Sequence, residues 1–215
     1  MHTRRDWLRS SLGIGGLLLA PPSILSAQEK SDFQPRSLDP VIRLSSNENP
    51  YGPSSRVQDR IKNSFIHGCR YPYAYSDNLA EQLAIKHGVS PESIIITGGS
   101  TEGLRITGLT FASKGGEIIS GQPTFLAMMT YAEQWGASIN WVPVGADKGY
   151  DVDEMEKRIS SKTKLIFLCN PNNPTGTLVP AKKLVDFCDS ASKKAIVFSD
   201  EAYYDFIETP NYPSM

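Results

Sequence analysis

Two short polar motifs about thirty residues apart constrain this chain more than anything else in it. Asn170-Pro171-Asn172-Asn173-Pro174-Thr175-Gly176 follows the apolar, β-branched run 164–169, and Asp200-Glu201-Ala202-Tyr203 follows the run 195–199. Between them, Pro180 stands near the start of a helical pattern with Leu184, Phe187, Cys188 and Ala191 at i, i+3, i+4 and i+7. A strand, a helix and a strand in that order form a crossover unit whose two strands run parallel. Both polar motifs then lie at the carboxyl ends of neighbouring strands, where open α/β sheets bind ligands. The unit presents an amide and a carboxylate side by side.

The same alternation runs upstream. Ile94-Ile95-Ile96-Thr97 reads as a buried strand, and Gly98-Gly99-Ser100-Thr101-Glu102-Gly103 opens a helix that continues through Phe111. Further strands are expected at 117–120 and 138–142, and Pro123-Thr124-Phe125 opens a helix reaching about Trp135. Val152, Met155 and Ile159 mark a short amphipathic helix capped near Asp151 or Asp153. Ahead of the βα pattern, Leu79, Ala80, Leu83 and Ala84 share a helix face, with Ser76 or Asp77 as the cap and Gly88 as the stop. The expected fold is α/β, a three-layer αβα domain occupying 76–215, with its sheet unfinished at the carboxyl end.

Composition fits a globular chain: 40% apolar and 21% charged, so the chain is not a disordered one. A net charge of −1 gives no reason to expect nucleic acid as a partner. Cys69, Cys169 and Cys188 show no paired spacing, and the last two fall on apolar strand and helix patterns, as buried thiols do. Three scattered histidines form no metal constellation.

Residues 1–27 differ from the rest. Arg4-Arg5, then Trp7-Leu8, precede a Gly- and Leu-rich core that ends at Pro21-Pro22 and a small-residue stretch closing on Ser26-Ala27. This pattern resembles a twin-arginine (Tat) export signal, and its core is too short to span a bilayer as a stable helix. It implies a periplasmic or otherwise exported protein. A basic N-terminus on a cytoplasmic protein and an uncleaved membrane tether are the alternatives. The segment carries three Arg and one Asp, net +2, so the remainder carries −3. Residues 28–75 read as an N-terminal arm and linker. It contains the turn-rich Asn47-Glu48-Asn49-Pro50-Tyr51-Gly52-Pro53 and, before the first helix, Arg70-Tyr71-Pro72.

The two polar motifs, with Asn47-Glu48-Asn49-Pro50 and Gly98-Gly99-Ser100-Thr101, resemble the fold-type I pyridoxal 5'-phosphate (PLP) aminotransferases of class I/II, within them the histidinol-phosphate aminotransferase group. The resemblance covers residue 44 to the end of the chain. It implies a three-layer αβα PLP-dependent transferase large domain, a homodimer, and amino acid and 2-oxo acid substrates. It also implies roles for particular residues. Asp200 pairs with the pyridine nitrogen, and Asn173 and Tyr203 hydrogen-bond the ring oxygen. Phe125 stacks on the ring, where histidinol-phosphate enzymes commonly carry Tyr. Ser100 and Thr101 hold the phosphate at a helix start, and Tyr71 reaches the phosphate in the partner subunit.

Taken residue by residue, blander readings stand beside these. Gly98 to Thr101 also suits a capped helix after a tight turn, Asp200 a helix N-cap, Phe125 a core aromatic and Tyr71 an exposed loop aromatic. The family's Schiff-base lysine lies beyond the Asp-x-Ala-Tyr strand, whereas the last lysine here is Lys194. The family's C-terminal, carboxylate-gripping arginine is likewise missing, and Arg105 and Arg158 match no such motif. The expectation is therefore the N-terminal part of an aminotransferase, inactive by itself. A PLP-dependent decarboxylase or C–S lyase of the same fold, and a truncated gene product, are the alternatives.

Overall fold

The computed structural model describes residues 46–49 and 51–215, so the expected signal at 1–27 lies outside the described residues. The chain divides into two compact units, one up to Arg70 and one from Tyr71 to Met215. In the first, Asn49 closes an Asx turn: its Oδ1 accepts the Tyr51 N–H at 3.0 Å and its Nδ2 donates to the Gly52 carbonyl at 3.1 Å. The arm then forms a helix not expected from sequence, α1 (Ser55–Ser64), whose first turn is capped by the Ser54 hydroxyl.

The second unit is organised by β3 (Thr163–Cys169), a run whose odd and even residues enter two different cores. On one side Leu165, Phe167 and Cys169 join Ile118 beneath α3 (Ser100–Ala112) and α4 (Ala127–Glu133). On the other, Ile166 and Leu168 join Ile119 and Val142 beneath α5 (Val152–Lys157) and α6 (Ala181–Ala191). A strand buried on both faces reads as a continuous apolar run, as this one does. The sheet is all parallel, in the order β2 (Ser138–Pro143), β1 (Glu117–Gln122), β3, β4 (Ile196–Asp200). Helices cover both faces, which makes the three-layer α/β architecture that the sequence pattern implied.

The helices are held unequally. A fully buried large apolar side chain contributes roughly 1.5–3 kcal/mol. α6 buries Leu184, Phe187 and Ala191, whereas α2 (Tyr73–His87) buries only Ala84 and leaves Leu79 and Ile85 exposed. Asp151 caps α5 as expected, accepting the Glu154 N–H at 3.0 Å, and Gly88 ends α2 in the left-handed conformation.

Three expectations are corrected. Residues 94–97 form no strand; a strand needs a partner's ladder, and among the described residues this segment has none, leaving Ile95 84% exposed. α2 starts at Tyr73, ahead of the expected caps Ser76 and Asp77, because the chain turns in at Pro72 with no side-chain cap. α4 starts at Ala127, so Phe125 lies in the loop before the helix rather than on it.

Candidate active site

β1 leads to β2 on one side, and the chain then returns past β1 to lay down β3 on the other. Strand order therefore reverses between β1 and β3, and the loops leaving their carboxyl ends, 122–126 and 170–176, border the crevice where such sheets bind ligands. Phe125 from the first loop and Asn173 from the second line one cleft of about 560 Å³. That size is ordinary for a small-molecule site. The Asn173 side-chain amide hydrogen-bonds no described residue, although the loop around it is tightly tied. Arg105 borders the same cleft, its guanidinium 5.5 Å over the Tyr131 ring.

The 170–176 loop owes its shape to buried amides. Asn170 accepts the Val179 N–H at 3.0 Å through Oδ1 and donates to the Tyr212 hydroxyl at 2.8 Å through Nδ2. Asn172 donates to the Pro123 carbonyl at 3.1 Å and to Thr175 Oγ1 at 2.9 Å. Two of the three asparagines thus build the loop, and the third is left facing the cleft. Cys169, just before it, is buried, and burial pushes its thiol up to about 11, so it stays a protonated packing group.

Ser100 and Asp200 line a second cleft, of about 490 Å³, together with Thr97, Gly103 and Phe198. Gly99, at φ 93°, takes a backbone conformation that L side chains rarely adopt, and this turn sets Ser100 as the first residue of α3. The first N–H groups of a helix have no intrahelical acceptor and favour negative charge. Glu102 places a carboxylate in that first turn and accepts the N–H of Gly98, just ahead of the N-cap Gly99.

Asp200 ends β4 and is 8% exposed. Its Oδ1 accepts the Ala202 N–H at 3.1 Å, and among the described residues no cation pairs with it. Burial, the largest influence, raises its carboxyl above the ordinary 3.8; the Ala202 N–H works against this and the Glu201 charge adds to it. A carboxylate held out of water without a cation is costly unless a ligand supplies one.

The structure thus brings Phe125 to Asn173 and Ser100 to Asp200. Thr101, Tyr203 and Tyr71 line neither cleft. Thr101 is exposed on α3; Tyr203 directly precedes the 3-10 turn Tyr204–Phe206, with its ring 6.4 Å from that of Phe206; Tyr71 is 82% exposed and stacks on Tyr73. Arg158 is committed elsewhere, donating to Glu154 at 2.9 Å and to the Trp141 carbonyl at 2.9 Å. Sequence reasoning missed Thr124, Tyr150 and Asn172, which meet through hydrogen bonds where Thr124 lines the first cleft. The one signal for them was Gly121 inside a strand, which marks a close approach. No metal-ligating cluster occurs among the described residues, nor any helix long and apolar enough to cross a membrane.

The family model for aminotransferase class I and II matches residues 39–214. Histidinol-phosphate aminotransferase 1 of Bacillus cereus is 35% identical over 176 residues, which are 82% of this chain and 47% of that protein. The chain spans about half the length of the curated relatives it matches. A candidate histidinol-phosphate aminotransferase from Erwinia carotovora atroseptica superposes with a TM-score of 0.75 at 28% identity, over 81% of this chain and 51% of that one. The Sinorhizobium meliloti histidinol-phosphate aminotransferase, solved with pyridoxal-5'-phosphate, matches in fold with a TM-score of 0.69 at 24% identity, over 74% and 44%.

Proposed function

Because the chain belongs to the class I and II aminotransferase family, we propose that it holds pyridoxal 5'-phosphate and serves transfer of an amino group between an amino acid and a 2-oxo acid or aldehyde. The observation that carries this is Asp200: a buried carboxylate with no cation partner among the described residues, at the end of a parallel strand beside the asparagine loop. A protonated pyridine nitrogen answers that demand with both a positive charge and an N–H.

The other residues fit the same group. Phe125 offers an aromatic face and Asn173 a side-chain amide with no hydrogen bond to the described residues, on the same cleft. Ser100, Thr101 and the α3 N-terminus suit a phosphate. Tyr203 is proposed as a second donor to the ring oxygen, and Tyr71 as a contact to the phosphate in the partner subunit of a homodimer. When bound, the cofactor supplies an electron sink for charge developing at the substrate α-carbon. Asp200 keeps the ring nitrogen protonated, Phe125 fixes the ring plane, and Asn173 holds the ring oxygen.

Pyridoxamine 5'-phosphate tests this reading directly, because it carries an amine in place of the aldehyde and needs no lysine to bind. Titrated into the chain, it should bind saturably at one site and weaken when Asn173 is changed to Ala. Non-saturable binding, or an affinity indifferent to Asn173, would count against the site. We further propose that residues 1–27 direct export by the Tat route.

A further inference from the structure

The Tyr150 hydroxyl joins the two loops that border the first cleft. It donates to Asn172 Oδ1 at 2.8 Å, an atom that can only accept. It accepts the Cys169 backbone N–H at 3.3 Å, past the point where the β1–β3 ladder ends at Ser120 and Phe167. With its proton on Asn172, its bond to Thr124 Oγ1 must be one in which threonine donates. All three partners are buried, as Tyr150 itself is.

The ring is as constrained as the hydroxyl. A Cβ added to Gly121 would stand 2.1 Å from Tyr150 Cδ1 and Cε1, so one edge of the ring meets bare backbone near the end of β1. Gly121 is three residues before Thr124 and four before Phe125. Asn172 is next to Asn173, and its Nδ2 reaches back to the Pro123 carbonyl at 3.1 Å. The loop carrying the aromatic and the loop carrying the amide are therefore tied to each other mainly through one phenol.

We propose that Tyr150 is a positioning residue that sets Phe125 relative to Asn173, and so the slot in which the pyridine ring is held. This rests on the reading above, that Phe125 and Asn173 hold the ring. Tyr150 touches no ligand in this role; it acts through the two loops. Removing the hydroxyl while keeping the ring on Gly121 leaves three buried polar groups short of a partner.

Tyr150→Phe and, as an independent break of one bond, Thr124→Val test this in two ways. Hydrogen exchange on the ligand-free chain should quicken about ten-fold in 122–126 and 170–177, while the amides of 164–168 keep their protection. The dissociation constant for pyridoxamine 5'-phosphate should rise about ten-fold, and the circular dichroism of the bound cofactor at saturation should change, because ring orientation changes. Unchanged loop exchange in both variants overturns the clamp. Protection lost evenly across the sheet makes Tyr150 a packing residue only and overturns it too. Loosened loops in variants that bind the cofactor as the parent does overturn its role in setting the slot. Loosened loops in a chain whose parent binds no cofactor sink the ligand reading, and with it the slot, while the loop clamp stands.

Discussion

The backbone N–H of Asn170 donates to the backbone carbonyl of Asp200 at 2.9 Å, one step beyond the point where Cys169 and Asp200 pair across the β3–β4 ladder. The bond fixes the asparagine loop to the strand that ends in the buried carboxylate. It joins two motifs thirty residues apart in sequence at neighbouring strand ends.

The raised pKa of Asp200 makes the ligand-free fold pH-dependent. The folded chain holds this proton more tightly than the unfolded chain does. Its contribution is therefore fully present below the ordinary value of 3.8 and is lost as pH rises through the folded value. Asp200→Asn removes that component. In urea titrations across this range, the variant should gain on the parent as pH rises, and be the more stable of the two at pH 7. A constant difference between them at every pH would contradict the burial argument.

Gly121→Ala should be among the most damaging single substitutions outside the apolar core. A methyl 2.1 Å from two ring carbons of Tyr150 must move the ring or β1, and overpacking of this kind costs about 1–3 kcal/mol. Gly121→Ala combined with Tyr150→Leu should recover part of the loss, since the ring edge that fills the space is gone. Equal urea midpoints for Gly121→Ala and the parent would show that the contact is soft.

The export proposal rests on Arg4-Arg5 ahead of Trp7-Leu8. Residues 1–40 fused to a folded reporter should carry it to the periplasm, and changing both arginines to lysine should keep it inside. Export that survives the double change, or a parent fusion that never leaves the cytoplasm, removes the assignment.

Much of the architecture was legible because it is local. β3, α6 and β4 each carry their own periodicity, and the crossover rule then makes the strands parallel without further information. The 94–97 segment shows the limit of that logic. Three isoleucines favour an extended backbone, but pairing depends on what lies alongside, and no described strand does. Asp200 and Asn173 stood out because the motif holding each directly follows an apolar run. Tyr150 did not. A lone tyrosine between Gly149 and Asp151 has no periodic context, and its meaning comes from Gly121 and Asn172, more than twenty residues away on either side. The separate role of each asparagine was equally hidden, because only the folded loop shows which amides are spent on backbone and which one is left over.

The most direct measurement of the central claim is a cycle that varies Asp200 and the ring nitrogen together. Pyridoxamine 5'-phosphate and its 1-deaza analogue, in which a C–H replaces the ring nitrogen, are titrated into the parent chain and into Asp200→Asn. If Asp200 holds a protonated ring nitrogen, the parent prefers the nitrogen-containing ligand by about ten-fold or more, as a charge-assisted hydrogen bond should. Asp200→Asn then loses most of that preference. A parent that binds both ligands equally, or a variant that still discriminates as the parent does, would mean that this carboxylate does not face the ring nitrogen.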